Sequence, residues 1–178
     1  WVNLSVVLTV ASNLETYIAS VVGLALESDP GVLLGASQSI DGASVRKHKK
    51  SGAVDIHSQV EACTRGNRSS RLSSLQSILG TSPAGLRAVH SELETLRLVR
   101  NRFGHAFGRN INKARRTGTL EMLPMEKMSR KTAERLRDAV IAGARALDKL
   151  LLPQHIGEFE VVLFYEQLVL SFPPHINP

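Results

Sequence analysis

Arg100, Asn101 and His105 are the residues of this chain whose types and spacing could do chemistry. Arginine is permanently charged and holds phosphate in a planar fork, and histidine exchanges a proton near neutral pH. A neutral imidazole could take the proton of a ribose 2′-hydroxyl, while the guanidinium stabilises the charge that develops on phosphorus. Such a site suits RNA cleavage to a 2′,3′-cyclic phosphate and a 5′-hydroxyl, with no metal ion or other cofactor.

Helical geometry restricts how these side chains can meet. Asn101 and His105 are four residues apart and share one face of an α-helix, so the carboxamide could orient the imidazole. Arg100 and His105 are five apart, which is about 140° round an unbroken α-helix. Both can reach one phosphate only if the helix ends near Gly104, or if a two-fold dimer brings a second motif to face the first. Like charge from neighbouring arginines favours the neutral imidazole.

Arg100 also interrupts an apolar stripe at helical spacing. The stripe comprises Leu86, Val89, Leu93, Leu96, Phe103 and Phe107. An unpaired guanidinium in such a seam is costly. Either a carboxylate pairs with it (Glu92, Glu94 or a distant acid), or the seam opens onto a cleft or a subunit interface. Phe103 and Phe107 are interpreted as core residues rather than as base-stacking platforms.

The elements that must position these residues are all predicted to be helices. Apolar residues at helical spacing run from Trp1 to Ala25, and Asp29-Pro30 ends that first helix. Shorter helices are predicted near 53–64 and 69–79. Thr81-Ser82-Pro83 is typical of a helix start, with a hydroxyl cap and proline in the first turn, and that helix carries the motif.

Another long helix is predicted from Ser129 to Leu152, ended by Pro153. The Gly/Ser-rich and basic segment 31–52 and the basic segment 108–128 are predicted to be loops, the first of them mobile. The tail over 158–171 could be strand or helix, and we favour helix because nothing nearby could pair as a sheet. The sequence therefore predicts an all-α bundle of five or six helices in a single domain over 1–178, with 153–178 as a C-terminal extension.

Composition narrows the class of partner. The net charge is +6 and the pI about 9.9, which makes a polyanion the natural partner. Basic residues around the motif are predicted to hold an RNA backbone: Arg102, Arg109, Lys113, Arg115 and Arg116. The single cysteine, Cys63, excludes an internal disulfide and suggests the cytoplasm. We expect neither a signal peptide nor a membrane anchor, and nucleotide-triphosphatase, dehydrogenase and zinc-protease motifs are absent from the sequence.

The motif resembles one found in a known superfamily. Arg100-Asn101-x-x-x-His105 is similar to the RNxxxH form of the motif of HEPN domains, the "higher eukaryotes and prokaryotes nucleotide-binding" superfamily. The resemblance implies a helical bundle that dimerises through the motif helices. It further implies a metal-independent endoribonuclease, a toxin or defence and stress-response effector, with an antitoxin or regulatory protein as a further partner. The superfamily's arginine, polar residue and histidine correspond to Arg100, Asn101 and His105.

Two other interpretations are compatible with the same residues. Some HEPN domains are non-catalytic modules that bind RNA, nucleotide or a partner protein, so resemblance in fold does not decide activity. For such a module, the basic residues Arg109 and Arg115 should matter more than His105. A purely structural helical adaptor is the third interpretation, and it predicts a salt bridge at Arg100 within the seam.

Overall fold

A computed structural model describes residues 2–34, 56–81, 83–105, 116–118 and 127–171 of the chain, and every regular element within them is helical. The predicted all-α class is confirmed. The described residues contain seven α-helices: α1 (Val2–Ser28), α2 (His57–Thr64), α3 (Arg68–Leu79), α4 (Ala84–Ala88), α5 (His90–Arg100), α6 (Arg130–Leu151) and α7 (Phe159–Ser171).

The number of helices exceeds the predicted five or six because the motif segment is divided at Val89, where the backbone forms a turn between α4 and α5. Gly85 of α4 packs closely on Ala146 of α6, so α4 lies against α6 as a separate short helix. The predicted position of the proline is wrong, because Pro83 is the N-cap of α4 rather than a residue of its first turn, and the N-cap makes no side-chain hydrogen bond; Ser82 lies outside the described residues.

Helix α1 is the centre of the bundle. It packs against α2, α5 and α6 and contributes eight buried residues, from Leu4 to Leu26. The helical spacing of apolar residues in this segment includes Leu8 and Val21 and predicts them to be buried; they are only partly buried, and the neighbouring Val7 and Val22 are buried instead. By length and composition α1 could also cross a membrane, but core helices of soluble proteins and signal sequences can meet the same criteria.

Two predicted boundaries are corrected by the backbone. Pro30–Leu34 forms a 3₁₀ helix whose Val32 and Leu33 pack against the core, so the start of the predicted 31–52 loop is structured; residues 35–52 lie outside the described residues. The α-helix α6 ends at Leu151, one residue before the predicted end. Pro153 does not end the helical path, however, because the chain continues through a π turn, Leu152–Ile156.

The C-terminal extension is helical over Phe159–Ser171, as the sequence favoured. Ile156 and Phe159, on either side of Gly157, are buried. Gly157 has a positive φ of 53°, which turns the chain between the π turn and α7. Beyond Phe159, most of α7 is exposed, and the helix touches α1.

Candidate functional site

The motif residues Arg100 and Asn101 line a polar cleft of about 540 Å³ between α1, α5 and the α2–α3 turn. The cleft is formed by side chains and backbone of Glu15, Thr64, Arg65, Gly66, Asn67, Arg71, Arg97, Arg100 and Asn101. Its volume lies within the range of about 300–1,000 Å³ that is usual for small-molecule sites. Most binding pockets are lined mainly by apolar groups, whereas this one is lined mainly by arginine and amide groups.

The α2–α3 turn that forms one wall of the cleft follows directly from its sequence. Gly66 has a φ of 84°, a conformation that favours glycine. Asn67 is the N-cap of α3, and its side chain accepts a hydrogen bond from the Ser70 amide at 2.8 Å. The N-terminus of the twelve-residue helix α3 therefore lies at the cleft, where its dipole adds partial positive charge.

Glu15 joins two arginines across the cleft. Arg71 donates to its Oε1 from both Nη1 and Nη2 at 3.1 Å, and Arg100 Nη2 lies 3.0 Å from its Oε2. Arg71 also donates from Nε to the Gly66 carbonyl at 3.2 Å. One carboxylate thus fixes guanidiniums from α3 and α5, and the guanidinium of Arg71 is nearly buried.

The two outcomes proposed for Arg100 both occur. A distant acid, Glu15 of α1, pairs with it, and the seam also opens onto a cleft at that point. Glu94 and Glu92, the nearer acids, pair instead with Arg97 and Arg135. In this turn of α5, Val99 takes the buried position of the apolar stripe, and the Arg100 side chain is about 29% exposed.

A second ion pair stands beside the first. Arg97 donates to Glu94 from Nε at 2.9 Å and from Nη2 at 2.6 Å, and these bonds lower the pKa of Glu94 and raise that of Arg97. The backbone N–H of Arg68 donates to the same carboxylate at 3.3 Å. The pair therefore ties α5 to the first turn of α3.

Arg68 is the most buried cation of this group, with 4% of its surface exposed. Burial lowers its pKa to about 10, and the charge of Arg71 acts in the same direction, while Glu94 and Glu15 oppose it. Its Nε has no hydrogen-bond partner within the described structure. A guanidinium held so close to others indicates that positive charge is concentrated here beyond what the carboxylates neutralise.

The balance of formal charge supports that inference. Among the described residues, five guanidiniums (Arg65, Arg68, Arg71, Arg97 and Arg100) stand beside three carboxylates (Glu15, Glu61 and Glu94). This group has two positive charges in excess; Arg68 is buried beside the cleft, and the other four guanidiniums line it. Phosphate is the natural ligand of such an arrangement, because arginine forks match its oxygens.

The backbone of the motif departs from the unbroken α-helix in which Arg100 and His105 would lie on different faces. At Asn101 the α-helix changes to a π turn, Asn101–His105. In π geometry the hydrogen bonds join residues five apart, so the backbone of His105 lies about one turn beyond Arg100 rather than on another face. The first of the two alternatives, a helix that ends near Gly104, is thus replaced by a widened turn that begins at Asn101. The His105 side chain lies outside the described part of the structure.

Two of the remaining predicted site residues, Arg102 and Arg116, belong to the described part of the chain, and neither lines the cleft. Both are exposed. Arg109, Lys113 and Arg115 lie outside the described residues, as does Phe107. Phe103 is buried in the core, as predicted.

Sequence reasoning missed Glu15, Arg65, Asn67 and Arg71. A signal for Glu15 existed, because a lone carboxylate in the middle of an apolar helix needs a partner. No cluster of three potential metal-ligating side chains occurs among the residues that the structure describes.

Comparison of the chain with protein-family models, with curated proteins and with solved structures found no match.

Proposed function

We propose that the protein is a metal-independent endoribonuclease of HEPN type. The scissile phosphate binds in the polar cleft, against Arg71, Arg97 and Arg100. The observation that carries the proposal is the position of the motif: Arg100 and Asn101 line a cleft with excess positive charge, at the start of a π turn that brings His105 one turn beyond Arg100. π turns inside helices occur frequently at functional sites.

The proposed chemistry uses the chain's own residues. The imidazole of His105 takes the proton of a ribose 2′-hydroxyl, and the 2′-oxygen forms a bond to phosphorus. The bond from phosphorus to the 5′-oxygen breaks, and a protonated imidazole of a second copy supplies the proton to that oxygen. Arg100, held by Glu15, stabilises the charge on the phosphorane oxygens. The products are a 2′,3′-cyclic phosphate and a 5′-hydroxyl.

The second imidazole requires two motifs that face each other in a homodimer. Leu98 of α5 is a large apolar residue that stands 47% exposed, and it lies about 60° round the helix from the motif residue Asn101. An exposed leucine on the motif helix is a suitable centre for a two-fold contact. The proposed role is a toxin or a defence and stress-response effector in the cytoplasm, with an antitoxin or regulatory protein as a further partner.

The test is RNA cleavage by purified protein in EDTA, with product ends identified by mass spectrometry. We expect cyclic-phosphate ends, a 10²–10⁴-fold lower rate in His105→Ala, and a loss of about 10²–10³-fold in Arg100→Ala. His57→Ala, on an exposed face of α2, should cleave like the wild type and is the matched control. Cleavage that survives both motif changes, or that EDTA abolishes, would overturn the proposal.

A non-catalytic RNA-binding module is the second candidate, and one observation favours it. Arg71 and Arg65, which are not part of the motif, line the same cleft, so anion binding there does not need His105. In that case the wild type binds RNA without cleaving it. Binding weakens with salt, with a log–log slope of about −0.7 for each phosphate contact on a single strand, and Arg97→Ala lowers the slope by about one contact while His105→Ala leaves it unchanged.

A further inference from the structure

Helix α7 exposes an apolar face that the fold leaves without a partner. At 100° per residue, six exposed side chains fall within about 160° of the helix circumference: Val161, Val162, Phe164, Tyr165, Leu168 and Val169. The opposite side holds Phe159, which is buried, and Leu163 and Glu166, which are partly buried; near the C-terminal end of α7 the same side holds Leu170, which is 82% exposed, so contact with the bundle is confined to the first two turns of the helix. α7 thus rests on the bundle by its narrower side and turns its wide apolar face outward.

A stripe of this width is typical of a helix enclosed in a core rather than of a surface helix. Phe164 and Tyr165 are 61% and 66% exposed, and with the four aliphatic residues they leave on the order of 600 Å² of apolar surface in contact with water. That area is at the upper end of the largest patch found on ordinary monomers, about 300–600 Å². It also approaches the roughly 800 Å² that each partner buries in a standard protein interface.

The charges of α7 indicate which kind of partner its apolar face suits, a membrane surface or a second copy of the chain. Its acidic residues, Glu160 and Glu166, lie outside the apolar face, and the helix has no lysine or arginine. Helices that bind membrane surfaces usually carry basic residues on their polar face, which attract anionic lipid. Association with a second copy of the chain does not require basic residues. When the uncharged face packs on itself across a two-fold axis, no like charges are brought together within it.

We propose that α7 is a homodimer interface in which the Val161–Val169 face of one chain packs against the same face of a second copy. The interface is separate from the contact through the motif helix in the proposed nuclease, and it does not depend on catalysis. Each chain contributes two aromatic side chains to its centre, and aromatic residues are enriched in interface cores.

The test is the mass in solution, measured by light scattering after size exclusion over a range of protein concentrations. Leu168→Glu and Tyr165→Glu should each halve the mass relative to the wild type, to 19.4 kDa if α7 is the chain's only self-contact. Ile141→Glu is the matched control, because Ile141 of α6 is 42% exposed, as Leu168 is, and it should keep the wild-type mass. Circular dichroism and thermal melting verify that all variants fold, which we expect since both positions on α7 are exposed.

Three results would overturn the inference. The first is a wild type that stays monomeric at every concentration. The second is an oligomer that Leu98→Glu dissociates and Leu168→Glu does not, which would leave only the motif-helix contact. The third is a monomer that sediments with neutral or anionic lipid vesicles and loses that property in Leu168→Glu, which would make the face a membrane-binding surface.

Discussion

The carboxylate of Glu15 forms ion pairs with two arginines at once, Arg71 and Arg100, and so connects the motif to α3. Paired charges in a partly buried place do not contribute much net stability, but removal of one partner leaves the other charges unneutralised. If the cleft binds phosphate, the ligand must compete with or extend this network. In that case Glu15 contributes to the reaction by holding Arg100 in place. Its effect on the rate of RNA cleavage should then differ from its effect on RNA binding.

Glu15→Gln should therefore lower the free energy of unfolding by about 1–3 kcal/mol, because Arg71 and Arg100 lose their common counter-charge. We expect it to slow RNA cleavage about tenfold or more, since Arg100 is no longer held, while RNA binding does not weaken. Urea denaturation, single-turnover cleavage and fluorescence anisotropy measure the three quantities.

Glu61→Gln is the control for Glu15→Gln. It removes the same formal charge from an exposed pair with Arg65 and should cost less than about 0.5 kcal/mol, with cleavage unchanged. Equal effects of the two changes would show that only total charge matters, and the positioning role of Glu15 would be rejected.

At the scale of elements, the N-terminus of α3 is a wall of the cleft, and its cap can be removed without touching an arginine. Asn67→Ala should lower stability by about 1 kcal/mol through loss of the bond to the Ser70 amide. Because Arg68 and Arg71 are in the first turns of α3, RNA affinity should fall as well. Chemical denaturation measures the change in stability, and fluorescence anisotropy measures the change in RNA affinity.

Ser129→Ala is the counterpart at α6, whose N-cap accepts from the Thr132 amide at 3.1 Å. Ser129 does not line the cleft, so we expect a similar loss of stability with unchanged RNA affinity. If both cap variants weaken RNA binding equally, the effect follows general stability and the α3 N-terminus has no special role.

The contact between α4 and α6 is a third feature that single substitutions can test. A Cβ at Gly85 would lie 2.7 Å from the Cβ of Ala146, so Gly85→Ala should lower the free energy of unfolding by about 1–2 kcal/mol despite alanine's higher helix propensity. Gly23→Ala in α1 meets only ordinary contacts, 3.8 Å from Ile56 and 3.9 Å from Val60. It should be neutral or raise stability by up to about 1 kcal/mol. Thermal or urea denaturation distinguishes them, and a stabilising Gly85→Ala would contradict the close packing.

The same elements show what periodicity can and cannot predict. The helices that begin at Val2 and Arg130 were predicted because an apolar stripe, a capping serine or a proline stop is local information. The turn at Val89 and the π turn after Arg100 were not, because the apolar spacing continues across both and neither needs glycine or proline at its first residue. They depend on how α4 and α5 pack against α6 and α1, which no local pattern contains.

The site was predicted in part for a similar reason. Arg100 and Asn101 stood out by type and spacing, and the need for a counter-charge followed from burial alone. The identity of that counter-charge did not, since Glu15 is 85 positions away in sequence and is brought to Arg100 only by the packing of α1 on α5. The contribution of Arg65 and Arg71 was missed because the α2–α3 turn looks like an ordinary connection.

At the scale of the whole molecule, the structure separates two kinds of surface. Positive charge gathers at the cleft between α1, α3 and α5, whereas the apolar surface gathers on α7, which carries only acidic charges. Association through α7 would therefore leave the cleft accessible. If both proposals hold, RNA and a second copy of the chain bind independently, so RNA affinity per chain should not depend on the Leu168→Glu change.

Cys63 offers a measure of how the bundle opens as a unit. It is the one buried residue of α2, with no exposed surface, where α2 packs on α1. Burial raises its pKa from 9.0 to about 11, so at pH 8 the thiol is both inaccessible and protonated. We expect the native protein to react with a disulfide reagent at least 10²-fold more slowly than the urea-unfolded chain. Rapid, stoichiometric labelling of the native thiol at pH 8 would show instead that α2 detaches from α1 while the remaining helices stay folded.

The raised pKa of the Cys63 thiol also makes stability depend on pH. Its contribution to the free energy of unfolding is fully present below pH 9 and is lost as pH rises through about 11. Stability should decline over that window in the wild type and less in Cys63→Ala, after its cavity cost is subtracted at pH 7.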